Sequence, residues 1–285
     1  MAVRVMNQKE SIEYLLGRSR RKGDVFPIRR EFVQRSNVEA LPGEPSTGPG
    51  PLSKLLRTPH ALELLLLVYA VTTGRDFGVT ERSQLWGRAA GIYMLADKGA
   101  SVAVSRQWEH LEKLGLIERR QHGRFKRIVK LHEIGRVGSV TVPYSVPTGS
   151  KTDVYFRVPF AYWREDWHRK LNMPGKAVLL AAMSRRKEIF TLPQDTRGAR
   201  ALGLGRHTMA RGIEELLKHE LLVKGGPEEV MDGRTMRGFE WVHTYRLAKP
   251  FDLNLSTAEV ERREAEQRGL LTPQDGADSQ AGRPG

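Results

Sequence analysis

The sequence contains no cysteine, and this absence removes several kinds of chemistry. Without thiols the chain forms no disulfide, has no thiolate nucleophile and offers no cysteine ligand to zinc. Dispensing with disulfides suits a reducing compartment, so we expect the protein in the cytoplasm, associated with the nucleoid. The longest apolar run, residues 61–72, contains Glu63 and is too short for a bilayer. We therefore expect no membrane span and no signal peptide.

Motifs of catalysis and cofactor binding are also missing. There is no G-x-x-x-x-G-K-S/T phosphate loop, and the eight histidines are scattered without a His-x-His or His-x-x-x-His pair. Four tyrosines are conceivable strand-transfer nucleophiles, but packing in a core or hairpin is the simpler interpretation: Tyr144, Tyr155, Tyr162 and Tyr245. We expect no catalytic residue, no bound metal and no cofactor.

Negative charge is scarce relative to positive charge. The 285 residues include 47 Lys and Arg against 33 Asp and Glu, which gives a formal net charge of +14. An excess of this size favours a polyanionic partner, and double-stranded DNA is the first candidate. The length allows two domains that each bury a core.

The distribution of proline, glycine and apolar residues predicts five segments. Residues 1–51 form a basic arm with one amphipathic helix near residues 8–18, followed by a linker rich in proline and glycine. Residues 52–142 and 165–253 form two domains, residues 143–164 connect them, and residues 254–285 form a largely disordered tail. The expected fold class is α+β, mainly helical with small β-hairpins.

The first domain is predicted to contain three helices and a hairpin. The first helix begins after Thr58 with Pro59 in its first turn and is apolar on nearly every side. A second helix is expected over residues 83–96. The third begins at Ser101, and the spacing of Val104, Trp108 and Leu111 gives it one apolar face. Two strands follow, joined by a turn at His122 and Gly123.

The same pattern returns at an offset of 105 residues, which is the strongest signal in the sequence. Apolar residues coincide with apolar residues and charges keep their sign: Val104 with Met209, Arg106 with Arg211, Trp108 with Ile213, Glu109 with Glu214, and Leu111 with Leu216. A helix starting near Met173 precedes this block, and a second hairpin follows it. The sequence therefore predicts two copies of one helical unit.

In each copy, the third helix is predicted to read DNA with its polar side. An α-helix fits the major groove, and an outward Arg can donate two hydrogen bonds to a guanine edge. Arg106 and Arg211 occupy equivalent positions and are the main candidates, although a solvated helix surface is the alternative for any single Arg. The complete set of candidate contacts is Ser101, Ala103, Arg106, His110, Arg206, His207, Thr208 and Arg211.

The hairpins are predicted to contact phosphates beside the groove. The first hairpin has six cations and no acid after Glu118, so each cation could neutralise a phosphate. The second hairpin is predicted to attract phosphates more weakly, because the negative charges of Glu228, Glu229 and Asp232 oppose its arginines. The predicted contacts are Arg119, Arg120, Arg124, Lys126 and Arg127 in the first hairpin, with Lys130 as its sixth cation, and Arg234 and Arg237 in the second.

Residues 105–119 (SRQWEHLEKLGLIER) resemble the stretch from recognition helix to wing in MarR-like and GntR-like winged-helix regulators. The two-copy layout over residues 52–253 is similar to the tandem winged-helix replication initiators of plasmids and integrative elements. This resemblance implies sequence-specific binding to repeated sites at an origin, with host replication or transcription proteins as further partners. A transcriptional regulator is the alternative, and a winged-helix protein–protein adaptor is the third. The oligomeric state stays open.

Overall fold

The computed structural model describes residues 5–21, 23–36, 47–93, 100–193, 196–231 and 239–255, and these form a mixed α+β fold. The helices are α1 (Gln8–Leu16), α2 (Leu52–Leu55), α3 (Pro59–Val71), α4 (Ser83–Ala89), α5 (Ala100–Lys113), α6 (Ala161–Arg164), α7 (Trp167–Lys170), α8 (Met173–Met183), α9 (Thr196–Ala201) and α10 (Arg206–Lys218). A 3-10 helix lies at Arg30–Phe32. The C-terminal segment expected to be disordered lies, from residue 256 onward, outside the described residues.

The strands pair in antiparallel fashion, and all but the last two span six residues or fewer. They are β1 (Val25–Arg29), β2 (Gln34–Ser36), β3 (Thr47–Pro49), β4 (Gly78–Thr80), β5 (Ile117–His122), β6 (Phe125–Lys130), β7 (Tyr155–Pro159), β8 (Phe190–Thr191), β9 (Leu222–Met231) and β10 (Phe239–Leu247). No helix within the described residues combines the length and apolar character that crossing a bilayer requires.

One order of elements occurs twice along the chain. The first unit runs α3, β4, α4, α5, β5, β6, and its sheet has the order β4-β6-β5. The second unit runs α8, β8, α9, α10, β9, β10, and its sheet has the matching order β8-β10-β9. In each unit, the first strand of the sheet comes from the segment between the first two helices and pairs with the last strand of the hairpin.

The first helix of each unit is the centre of its core. Every residue of α3 from Ala61 to Val71 is buried, as its apolar circumference predicts. Proline occupies the first turn of both α3 and α8, where a missing N–H costs nothing. Asn172 caps α8 by accepting a hydrogen bond from the Gly175 amide. Thr58, by contrast, makes no side-chain cap, and its hydroxyl donates to the Leu55 carbonyl.

The N-terminal segment is part of this core. Helix α1 lies close to the range predicted for it, begins with a capping box at Asn7 and Glu10, and buries Ile12, Leu15 and Leu16. Strand β1 pairs along its whole length with β7, from Val25 opposite Pro159 to Arg29 opposite Tyr155. Residues expected to form an arm and a connector thus contain the two strands of one ribbon, which packs against α3 and α8.

A buried ion pair joins the two units at their equivalent first helices. Lys176 Nζ on α8 lies 2.6 Å from Glu63 Oε1 on α3, and both residues are only about one-twentieth exposed. The Tyr162 hydroxyl donates to the same carboxylate oxygen over 2.8 Å. Buried apolar residues of both units form one continuous cluster around this contact. The two units therefore share a core.

A second buried polar cluster lies between the β1–β7 ribbon and the first unit. Arg29 Nη1 donates to Glu133 over 2.8 Å, and its Nε donates to Asp153 over 2.5 Å. The ammonium of Lys130 lies 3.8 Å from the ring centre of Tyr144. Burial, reinforced by the charge of Arg21, lowers the pKa of Lys130 to about 7. Lys130 is 1% exposed, so its predicted role as a phosphate-contacting cation of the first hairpin is wrong.

We expect Lys176→Met to lower the free energy of unfolding by about 3 kcal/mol, because it leaves the Glu63 carboxylate buried without its cation. The double variant Glu63→Gln/Lys176→Met, which keeps an acceptor for Tyr162, should recover most of this loss. Urea unfolding followed by circular dichroism measures both. A double variant no more stable than the single one would contradict the ion-pair account of the joint.

We expect the free energy of unfolding to rise between pH 7 and pH 9. Over this range folded Lys130, with a pKa of about 7, holds fewer protons than unfolded lysine, so raising the pH favours the folded state. Lys130→Met should flatten the rise, while the exposed control Lys126→Met should keep it. Urea titrations at three pH values provide the measurement, and an equal slope in both variants would refute the assignment.

Candidate nucleic-acid interface

The inward faces of α5 and α10 are confirmed. Val104, Trp108 and Leu111 are buried in α5, as are Met209, Ile213 and Leu216 in α10. Trp108 packs edge-on against Trp86 of α4, with ring centres 5.5 Å apart, so it is a core residue as expected. This packing fixes which side of each helix faces outward.

Close backbone contacts set the positions of these helices. A Cβ atom added at Gly212 of α10 would lie 2.5 Å from the Pro174 carbonyl oxygen and 2.4 Å from a Val178 methyl. At Gly87 of α4 it would lie 2.7 Å from a Val104 methyl of α5. Glycine at these positions lets α10 approach α8, and α4 approach α5, more closely than any larger residue would.

The outward faces carry matching exposed stripes. Arg106 and Arg211 are both exposed and lie at the centre of their helices. The stripe on α5 is Val102, Ser105, Arg106, Glu109 and Lys113, and the stripe on α10 is His207, Ala210, Arg211, Glu214 and Lys218. The two stripes are in register at the offset of the sequence repeat, with a cation in the middle, a carboxylate one turn later and a lysine at the end.

The other predicted helix contacts lie at different depths. Ser101, Arg206 and His207 are exposed at the first turns of their helices. Ala103, Thr208 and His110 are half-buried at the edges of the stripes, and the Nε2 atom of His110 is itself buried. Ser105, Lys113, Ala210 and Lys218 were missed as exposed positions, although the helical period that identifies the inward faces also identifies them.

Three of the six cations of the first hairpin are engaged by carboxylates, which corrects the expectation that no acid compensates them. Arg119 donates through Nε and Nη2 to Glu112 over 3.0 and 2.8 Å. Arg120 pairs with Glu118 over 2.7 Å. Arg127 forms two hydrogen bonds to Asp76, and these lower the pKa of that carboxyl to about 2.

Arg124 and Lys126 remain as the hairpin cations best placed for phosphate. Both are exposed near the turn, and no carboxylate of the described residues forms a salt bridge with either. The guanidinium of Arg124 lies 5.0 Å from the ring centre of Phe125. The turn is formed by Gly123, at a φ of 58°, and Arg124, because His122 pairs directly with Phe125.

The second hairpin has a different chemical character. Its predicted contacts Arg234 and Arg237 lie outside the described residues. In the outer part that the structure describes, Glu228 and Glu229 are exposed on β9, and Trp241 is 58% exposed on β10. These described residues offer no cation to a phosphate.

The four tyrosines considered as nucleophiles lie away from open solvent. Tyr144, Tyr162 and Tyr245 are buried, and Tyr155 is half-buried in the β1–β7 ribbon. Burial, with the negative charge of Glu63, raises the pKa of Tyr162 far above its ordinary value, so this hydroxyl stays protonated. Among the described residues, no group of three or more His, Asp or Glu side chains is arranged to hold a metal ion.

No protein family, no curated protein and no solved structure matches this chain.

Proposed function

We propose that the chain binds double-stranded DNA in a sequence-specific manner through two winged-helix units. Helices α5 and α10 are the recognition helices in this proposal, and the hairpin β5–β6 occupies the position of a wing. The described outer part of the hairpin β9–β10 carries carboxylates instead of cations. The observation that carries it is the pair of exposed stripes centred on Arg106 and Arg211, which occupy equivalent positions in units with the same order of helices and strands. The element order of each unit supports this proposal, because three helices followed by a hairpin is the order that the winged-helix resemblance implies.

The chemistry of the stripes suits the edges of base pairs. An arginine at the centre of a groove-bound helix can donate two hydrogen bonds to O6 and N7 of guanine. Glu109 and Glu214, one turn further on, can each accept a hydrogen bond from the N4 amino group of cytosine and are repelled by phosphates. Each stripe therefore combines groups that distinguish bases, whereas Arg124 and Lys126 supply attraction that is independent of sequence.

The shared core supports a long composite site. Glu63, Lys176 and Tyr162 hold the two units together. Helices α5 and α10 therefore belong to one body and bind DNA together, not independently. Such a protein suits origin binding in the replication of a plasmid or other mobile element, in line with the resemblance of residues 52–253. A transcriptional regulator would use the same interface, and the genes and DNA repeats beside the coding sequence distinguish the two roles.

We expect Arg106→Ala and Arg211→Ala each to weaken binding to the preferred DNA by about 1–3 kcal/mol and to relax preference at separate base pairs. Sites are first selected from a random DNA library with the unchanged protein, and affinities are then measured by fluorescence anisotropy. Arg57→Ala, an exposed arginine outside both helices and both hairpins, is the matched control. Unchanged base preference in both helix variants would overturn the assignment of α5 and α10.

We expect Arg124→Gln/Lys126→Gln to weaken binding to preferred and unrelated DNA by similar factors. Each lost phosphate contact should reduce the slope of log affinity against log salt by about 0.9, so the pair should reduce it by roughly 2. The single variants Arg119→Gln and Arg124→Gln each remove one charge, and because Glu112 already engages Arg119, the slope should change less for Arg119→Gln than for Arg124→Gln. Titration at four salt concentrations tests this, and equal slope changes for Arg119 and Arg124 single variants would contradict it.

A further inference from the structure

Four exposed valines lie in the loop that follows the hairpin of the first unit. We call this loop the valine loop, and its valines are Val137, Val140, Val142 and Val146, which are 50%, 61%, 38% and 63% exposed. Val137 and Val140 exchange two backbone hydrogen bonds of 3.0 Å around a tight turn, and the amide of His132 donates to the Val142 carbonyl. These hydrogen bonds fix the backbone at three of the four valines.

The valine loop lies in a cationic setting at the end of α5. Arg136 donates through Nε to the Lys113 carbonyl over 3.2 Å and through Nη1 to the Ser139 carbonyl over 3.2 Å. Both Arg136 and Lys113 are exposed. The turn that carries Val137 and Val140 is therefore held beside Arg136 and the end of α5 at Lys113.

The outer second hairpin, residues 226–231 and 239–243, has the complementary character. Trp241 is 58% exposed, and the ring of Phe239, on the same face of β10, stands edge-on 6.3 Å from that of Trp241. Glu229 lies opposite Trp241 in the register of the ladder and adds negative charge to this face. Tryptophan in an exposed apolar patch is the residue type most enriched at the energetic centres of protein interfaces.

We propose that the outer second hairpin of one copy docks on the valine loop of a second copy. Trp241 and Phe239 cover exposed valines of the loop, and Glu229, on the same face as Trp241, approaches Arg136 and Lys113. DNA is a poorer occupant of this hairpin, because its exposed carboxylates repel phosphates. Symmetric pairing of two β9 edges is also disfavoured, since it brings the glutamates of both copies together.

The contact is heterologous, because it joins two different surfaces. Each copy that uses its hairpin still presents a valine loop, and each copy that uses its loop still presents a hairpin. Association of this kind continues from copy to copy unless the geometry closes a ring. The inference does not depend on DNA binding, since it rests only on two patches of the free protein.

Cysteine cross-linking tests the proposal cleanly, because the native chain has no cysteine. Pro227→Cys places a thiol on the exposed β9 edge, on the face that carries Trp241, and Ser139→Cys places one in the turn of the valine loop. We expect mild oxidation of the mixed single variants to give a disulfide-linked dimer that neither variant gives alone. A chain carrying both cysteines should give a ladder of oligomers.

Adding Trp241→Ala to the Pro227→Cys chain should abolish the mixed dimer. Trp241 is largely exposed, so this change leaves folding intact, and urea unfolding verifies that. Glu229→Lys should also abolish cross-linking, and combining it with Lys113→Glu in the other copy should restore it. Sedimentation velocity up to roughly 100 µM gives an independent measurement, because interfaces of this small size bind weakly.

Three results would overturn the proposal. One is a protein that stays monomeric and uncross-linked throughout this concentration range. Another is cross-linking of Pro227→Cys chains mainly with each other, which would show a symmetric contact. The third is a loss of DNA affinity in Trp241→Ala at nanomolar protein, where self-association is absent, because the hairpin would then contact DNA. Retained DNA affinity together with lost cross-linking supports the proposal whether or not α5 and α10 read bases.

Discussion

The ion pair between Glu63 and Lys176 is the contact on which the arrangement of the two units depends. It lies between helices that occupy the same place in each unit, and Tyr162 adds a hydrogen bond from the segment that joins them. A charge pair in a buried position contributes little net stability, but it penalises every packing that separates the partners. The apolar cluster around it could tolerate other angles between α3 and α8, whereas this pair could not.

The helices were the predictable part of this protein. Apolar residues spaced three and four positions apart identify α5 and α10, and proline marks the start of α3 and α8. The sequence repeat aligns Arg106 with Arg211 before any coordinates are known. These signals are local, or they compare one stretch of sequence with another. That is why the inward faces of both helices and their exposed central arginines followed from the sequence alone.

The missed features depend on partners that are distant in sequence. Strand β1 contains Pro27, which argues against a strand unless it lies at an edge, and its partner β7 lies more than a hundred residues away. Asp76 engages Arg127 across 51 positions, so the first hairpin looked more cationic than it is. The alternating pattern of its strand grouped Lys130 with the phosphate-contacting cations of the hairpin. The ring of Tyr144 that covers its ammonium comes from a later loop. Pairings of this kind are fixed by tertiary structure and leave no local pattern.

The enclosure of Lys130 also has a chemical consequence. An amine with a pKa of about 7 is partly uncharged at neutral pH, the form that attacks acylating reagents, whereas exposed lysines are almost fully protonated there. Yet the side chain is 1% exposed, so a reagent reaches it only when β6 separates from the residues around it, and in that open state the pKa returns towards that of an ordinary lysine. Lys130 is a lysine of the native chain, and its acylation would therefore report how often the first unit opens.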